Sequence, residues 1–214
     1  MKTNYIVYVL TLAALLQSPL PSYANENKAS SSAVSAEKIS KEDFVQDMGQ
    51  EVLGVLKDQK KTFTEKKAVL RTLFTETVDT NWIARFVLGP TWKTATPEQK
   101  SRYTELYRTY LTETYISKFE NDSDSKVTDI KILNIKDAPA NAFTAHTSII
   151  QSDGETVAVD YLLKEKDGTF KVIDIIIEGV SLLATHRNEF NTLAASGGME
   201  GVIKKLQELT SQQK

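Results

Sequence analysis

The chain has no cysteine, and only nine glycines and five prolines among its 214 residues. Without a thiol there is no disulfide framework, no thiolate zinc site and no cysteine nucleophile. His146 and His186 are the only imidazoles. So little glycine and proline excludes a collagenous or low-complexity chain. A surplus of charge is missing too: 26 Lys and Arg stand against 28 Asp and Glu, a net charge of −2. No global field therefore draws the molecule onto nucleic acid, which is not expected as a partner. What is present is a chain of 41% hydrophobic content, long enough to bury roughly 70% of the surface its unfolded form exposes.

The one long apolar run is N-terminal. Lys2 precedes Ile6 to Leu16, and Pro19, Pro21 and Ser22-Tyr23-Ala24 follow. The run is about half of the ~20 residues a membrane-spanning helix needs. Ser22 and Ala24 stand where a signal peptidase reads small residues. Residues 1–24 read as a signal peptide cleaved after Ala24, with an uncleaved signal anchor as the alternative, and the product as an exported protein. Residues 25–39 include Ser30-Ser31-Ser32 and few bulky apolar groups; they read as a flexible tether that cannot offset the entropy of ordering. Residues 40–211 form a single domain.

Its first half is helical in pattern. Ser40 with Asp43 predicts a capped helix carrying Phe44, Met48, Val52 and Val55 or Leu56 on one side. A second helix is expected from about Glu65 to Val78, with Val69, Leu70, Leu73 and Phe74. The cations Lys57, Lys60, Lys61, Lys66, Lys67 and Arg71 make the only concentrated basic stretch, either a solvated face or a docking surface. A short third helix, about Trp82 to Leu88, ends at Gly89-Pro90. Thr96-Pro97-Glu98-Gln99 combines a capping hydroxyl, a proline at the first helical position and a capping-box glutamine. The helix it opens carries Tyr103, Leu106, Tyr107, Tyr110, Leu111, Tyr115 and Phe119, a stripe that suits either a core or a wall with one apolar and one wet end.

After Asn121-Asp122-Ser123, which fits a glycosylation sequon, the period alternates. Strands are expected at about 126–136, 142–151, 155–165 and 169–178, with hairpin turns at Asp153-Gly154 and Asp167-Gly168. In the third strand Val157, Val159, Tyr161 and Leu163 share a face. In the fourth, Lys171, Ile173, Ile175 and Ile177 oppose Phe170, Val172, Asp174 and Ile176. A strand apolar on both faces needs cover on each side. Two helices, about Ser181 to Ala195 and Met199 to Leu209, close the chain around Gly197-Gly198.

Catalytic constellations are scarce. Ser181 follows Gly179-Val180 but lacks the second glycine of a nucleophile elbow. No phosphate-binding or dinucleotide glycine loop is present. Asp160 and Asp174 fit either a general acid/base pair or structural carboxylates satisfied by Arg187 and backbone donors. His146 and His186 read as surface or packing residues.

Two segments carry a resemblance. Phe86-Val87-Leu88-Gly89-Pro90-Thr91-Trp92 through Thr96-Pro97-Glu98-Gln99 is the first. The second runs from Val157-Ala158-Val159-Asp160-Tyr161 through Val172-Ile173-Asp174 and Ile177-Glu178-Gly179-Val180-Ser181-Leu182 to Arg187, Phe190 and Gly197-Gly198. In order and spacing they resemble the MlaC family, also called the toluene-tolerance family of periplasmic proteins, over about residues 40 to 210. Phe170 replaces a usual tryptophan, Ile173 an aromatic, and His186 another aromatic. These departures bear on the pocket lining rather than on the fold.

The resemblance implies a monomeric α+β protein in which about six helices wrap a curved antiparallel sheet of about four strands around an apolar lipid cavity. It implies a periplasmic, non-enzymatic carrier without cofactor or metal, moving phospholipid between an outer-membrane lipoprotein–porin complex and an inner-membrane ABC transporter. That role maintains the lipid asymmetry of the outer membrane. A hopanoid-associated carrier, an exported hydrolase and a solid-cored adaptor are the alternatives. A lipid with ~30 chain methylenes, at ~0.8 kcal/mol each, costs roughly 24 kcal/mol to carry with its tails in water, so a carrier must hide them. The residues expected to line its wall are Trp82, Phe86, Leu106, Tyr107, Tyr110, Val159, Tyr161, Ile173, Ile175 and Phe190.

Overall fold

In the computed structural model, residues 39–116 and 127–212 are described. The expected signal peptide, the tether apart from Ile39, Phe119 and the sequon at Asn121 lie outside the described residues. Helices α1 (Lys41–Lys57), α2 (Phe63–Thr77), α3 (Thr80–Leu88), α4 (Pro90–Thr94) and α5 (Pro97–Ile116) precede strands β1 (Val127–Ala138), β2 (Ala142–Gln151), β3 (Thr156–Lys166), β4 (Thr169–Ile177) and β5 (Val180–Ser181). Helix α6 (Leu182–Gln212) closes the described chain, broken at Gly198, whose φ of 60° and ψ of −161° are not helical. The expected pair of closing helices, separated at Gly197-Gly198, is thus present, the two meeting end to end at the kink.

Local chemistry sets the boundaries. Ser40 accepts from the Asp43 amide, as expected. Helix α2 starts two residues earlier than the apolar spacing predicts, because Thr62 and Glu65 form a capping box. Asp79, not a residue nearer Trp82, caps α3 by accepting from the Trp82 amide at 3.0 Å. The Thr96–Gln99 box closes at 3.0 and 3.2 Å. Helix α4, absent from the sequence reading, fits between Gly89 and Ala95 with Pro90 in its first turn.

The strands form one antiparallel sheet in the order β1-β2-β3-β4-β5. Asp167 and Gly168 take φ of 52° and 80° in the tight turn expected there. Glu178 and Gly179 do the same, at 48° and 80°, and create the β4–β5 hairpin that the sequence reading missed. Glu178 also anchors this turn sideways, its carboxylate accepting from the Ala158 amide.

One expectation about faces is corrected. Val172 pairs with Leu163 and Asp174 with Leu162, so Ile173 is an extra residue, a β-bulge. Alternation reverses there, and Val172, Ile175 and Ile177 share the face of Leu163, Tyr161 and Val159. A matching shift in β1 falls between Ile132 and Asn134. It leaves Leu133 64% exposed and keeps Ile130, Ile132 and Ile135 against the sheet core.

Two cores result. Helices α3, α5 and α6 enclose Val87, Leu88, Tyr103, Phe190, Val202 and Leu206. Helix α1 covers the sheet, packing Val45 and Leu53 with Phe143, Ala145, Val159 and Leu163. The connection from α2 to α3 joins them: Val78 bridges Val172, and the Asp79 amide donates to the Val172 carbonyl at 3.0 Å.

Candidate functional site

Between α1, α2 and the sheet lies an apolar cavity of about 90 Å³, walled by Met48, Val52, Leu73, Phe74, Tyr161 and Ile175 among others. Its few polar neighbours include Thr147, whose hydroxyl is already donated to the Val159 carbonyl. A second apolar space of about 40 Å³ lies between α3, α5, α6 and β4, with Ile83, Tyr107, Tyr115, Ile173 and His186 in its wall. Phe74, Val78, Val172 and Ile175 line both. They partition what is otherwise one oily seam.

The ten residues expected in the wall divide. Tyr161 and Ile175 line the first cavity, and Tyr107, Ile173 and Ile175 the second. Val159 is fully buried in the sheet core. Phe190 belongs to the helical core, where its ring meets Tyr107 edge-on at 5.2 Å and stacks on His186; Leu106 and Tyr110 pack against the same core. Trp82, which also packs against the helical core, and Phe86 line neither cavity; they stack on each other at 4.9 Å in an outer groove. The reason is geometric. Ile83, Ala84, Val87 and Leu88 turn inward on α3, so residues 82 and 86 fall on the opposite stripe.

Residues missing from the expected wall come from α1 and α2. Met48, Val52, Leu73 and Phe74 were legible as helical stripes, but periodicity finds a buried face without saying whether protein or ligand covers it. Of the three departures from the family pattern, Ile173 and His186 do line a cavity. Phe170 instead meets Phe44 and Phe143 edge-on at 5.5 and 5.0 Å.

His186, expected at a surface or in packing, is buried with Tyr107 Oη 3.2 Å from Nδ1 and Tyr115 Oη 3.3 Å from Nε2. Burial pushes the phenols of Tyr107, Tyr115 and Tyr161 upward, so all three stay protonated at neutral pH. Asp174 accepts from the Ser181 hydroxyl at 2.6 Å and from the Leu183 amide at 2.9 Å. Its carboxyl is raised by burial, with these hydrogen bonds opposing. Ser181 in turn accepts from the Ala184 amide. Asp174 therefore ties β4 to the start of α6, without the help of Arg187 that the sequence suggested. Asp160 lies 2.9 Å from His146 across the β2–β3 pair. Neither carboxylate is committed to the other, and Ser181 serves as a cap. Among the described residues no group of three or more His, Asp or Glu is arranged to hold a metal ion.

Several cations of the basic stretch have partners within the molecule, though only Lys66 among them is buried. Lys66 is buried and donates to the Leu56 carbonyl at 2.9 Å. Arg71 grips Glu113 with two bonds of 2.8 Å, Lys61 pairs with Asp58, and Lys67 lies 4.6 Å above the Phe63 ring.

The architecture is that of a known group. A phospholipid-binding protein from Ralstonia solanacearum, solved in complex with a phospholipid, matches with a TM-score of 0.68 and 22% identity over 79% of this chain and 96% of that one. At that identity the likeness speaks for the fold, which is the α+β arrangement expected, with an open five-stranded sheet. The family described as MlaC protein matches residues 46–208, from within α1 to within α6. With both the pattern and the fold in agreement, this chain belongs to the MlaC family.

Proposed function

We propose that this protein is a periplasmic carrier of phospholipid, exported by a cleavable signal peptide at residues 1–24 and acting as a monomer. It passes lipid between an outer-membrane lipoprotein–porin complex and an inner-membrane ABC transporter. The observation that carries the reading is the apolar cavity between α1–α2 and the sheet, in a chain of this family whose fold matches that of a protein solved with phospholipid. Tyr161 and Ile175, with Met48, Val52, Leu73 and Phe74, are the side chains assigned to the tails.

The cavity is smaller than its cargo. An apolar cavity of ~150 Å³ accepts benzene, and drug-sized ligands occupy roughly 300–1,000 Å³. At about 90 Å³ the space between α1, α2 and the sheet is the seed of a site rather than its full volume. Loading therefore requires α1 and α2 to part from the sheet. The cost of opening is offset by hiding tails worth roughly 24 kcal/mol in water. A wet headgroup needs no strong contact, in keeping with an apolar wall.

Extraction of the purified, denatured protein with organic solvent, followed by mass spectrometry, tests this directly. Phospholipid should appear in a near-fixed molar ratio to protein. Recovery of none from protein folded in a lipid-containing cell would overturn the proposal, and a hopanoid-type species in its place would reassign the cargo.

A further inference from the structure

On the outer side of α3 a groove of about 640 Å³ runs between α3, α4 and α6. Its apolar surfaces are Trp82, Phe86 and Trp92, and its cations are Arg85, Lys93 and Arg187. Gly89, at φ 51°, makes the turn that sets α4 across from Arg187. The guanidinium of Arg187 is held 4.5 Å above the Phe86 ring, while the exposed Arg85 donates its Nε–H to the Asn81 carbonyl at 3.2 Å. No carboxylate lines the groove, and among the described residues none of the three cations is in an ion pair. The groove shares no lining residue with the first cavity.

We propose that this groove is the docking site for an acidic, extended segment of a partner protein. Its carboxylates meet Arg85, Lys93 and Arg187, and its intervening apolar side chains rest on Trp82 and Trp92, with Phe86 stacked on Trp82 and beneath Arg187. The chemistry selects the partner. Three unpaired cations in a chain of net charge −2 are a local exception that favours an anion. Arginine stacked on an aromatic ring is weakly hydrated and presents a planar fork suited to carboxylates. Tryptophan and arginine together dominate the energetics of protein interfaces. A bilayer is disfavoured by shape. Surfaces that enter headgroups push aromatic tips outward, whereas Trp82, Phe86 and Trp92 are all half-buried in a concavity. The inference does not rest on the cargo, since the lipid-side wall lies on other residues. The inner faces of the same helices do reach the second cavity, through Ile83 and His186.

The chain supplies its own reporter, because Trp82 and Trp92 are its only two tryptophans. A short synthetic peptide alternating Asp and Glu with Leu, titrated into the purified protein, should shift tryptophan emission saturably and less so as salt is raised. A peptide with Asn and Gln in place of the acids should not. The exposed pair R85E/K93E should weaken binding by at least ~10-fold with unchanged thermal unfolding and unchanged lipid content. Arg187→Lys, which keeps the charge but loses the planar stack, should weaken it less. The proposal is overturned by a flat emission titration, by equal binding of the neutral peptide, or by anionic vesicles of phosphatidylglycerol and phosphatidylethanolamine producing the tryptophan response when the peptide does not.

Discussion

The two cores of this protein are built from similar side chains and differ in how completely they are filled. In the helical core Val87, Leu88, Tyr103, Val202 and Leu206 are wholly inaccessible, and none of them lines either cavity. Where α1 and α2 meet the sheet, Met48, Val52 and Leu73 are only half-buried and border open apolar space. Packing at crystal-like density is the ordinary outcome for interior side chains. Open apolar space is greatest between α1, α2 and the sheet; the smaller space, of about 40 Å³, borders the helical core through Ile83, Tyr107 and Leu111. The bulge at Ile173 and the Val78–Val172 bridge sit at the boundary between the two.

The largest effect that tests this contrast is on stability. Leu206→Ala empties a site with no slack, and should cost about 3–5 kcal/mol. Met48→Ala removes a side chain already beside open space, and should cost only about 1 kcal/mol. Urea unfolding of the two variants measures both. Equal losses would mean that the two cores are packed alike and that the cavity has no mechanical meaning.

Cargo provides the next test. Val52→Trp places a bulky ring from α1 into the cavity, where there is room for part of it. Lipid recovered from the purified variant should fall at least ~10-fold, which corresponds to ~1.4 kcal/mol of lost binding. Because only part of the ring finds open space, stability should fall by about 1–3 kcal/mol while the fold is retained, which urea unfolding checks. A variant loaded as fully as the parent would remove these residues from the tail-binding wall.

These tests also mark where reading the sequence stops. Caps and turns were legible because their chemistry is local: Thr96 and Gln99 identify each other three residues apart, and Asp167-Gly168 can hardly be anything but a tight turn. Glu178-Gly179 makes the same turn with a residue less typical of it, and so escaped. The bulge at Ile173 left no mark in an isoleucine-rich strand, since Ile173, Ile175, Ile176 and Ile177 look equally apolar in any register. That one inserted residue moved Ile173 off the face it was expected to share with Ile175 and Ile177. Trp82 and Phe86 were misplaced for a related reason. On a nine-residue helix two apolar stripes compete, and only the surrounding packing shows that Ile83 and Val87 take the inside. The family pattern supplied the fold, but the hollow depended on how α1 and α2 lie over the sheet, a long-range arrangement that no local spacing encodes.

The smallest expected effect lies on the seam between the two regions. Arg71 on α2 holds Glu113 on α5 through two hydrogen bonds of 2.8 Å, a polar link between a helix that walls the larger cavity and the helical core. The guanidinium keeps the Glu113 carboxyl below its ordinary value of 4.5. A carboxylate whose pKa is lowered on folding adds stability above its unfolded pKa and loses it as the pH falls through its folded pKa. The Arg71 side chain is 42% exposed, so solvent screening limits the contribution to less than about 1 kcal/mol. Glu113→Gln should therefore be destabilised by that small amount at pH 7, and the gap to the parent should narrow as the pH is lowered past 4.5. If the proposed opening carries α2 away from α5 as well as from the sheet, the variant should also take up a fluorescent phospholipid faster than the parent at neutral pH. A stability gap independent of pH would show that Arg71 and Glu113 do not act as a charged pair. Unchanged uptake alongside the expected stability loss would place the opening motion at α1 alone, with α2 remaining on the side of the filled core.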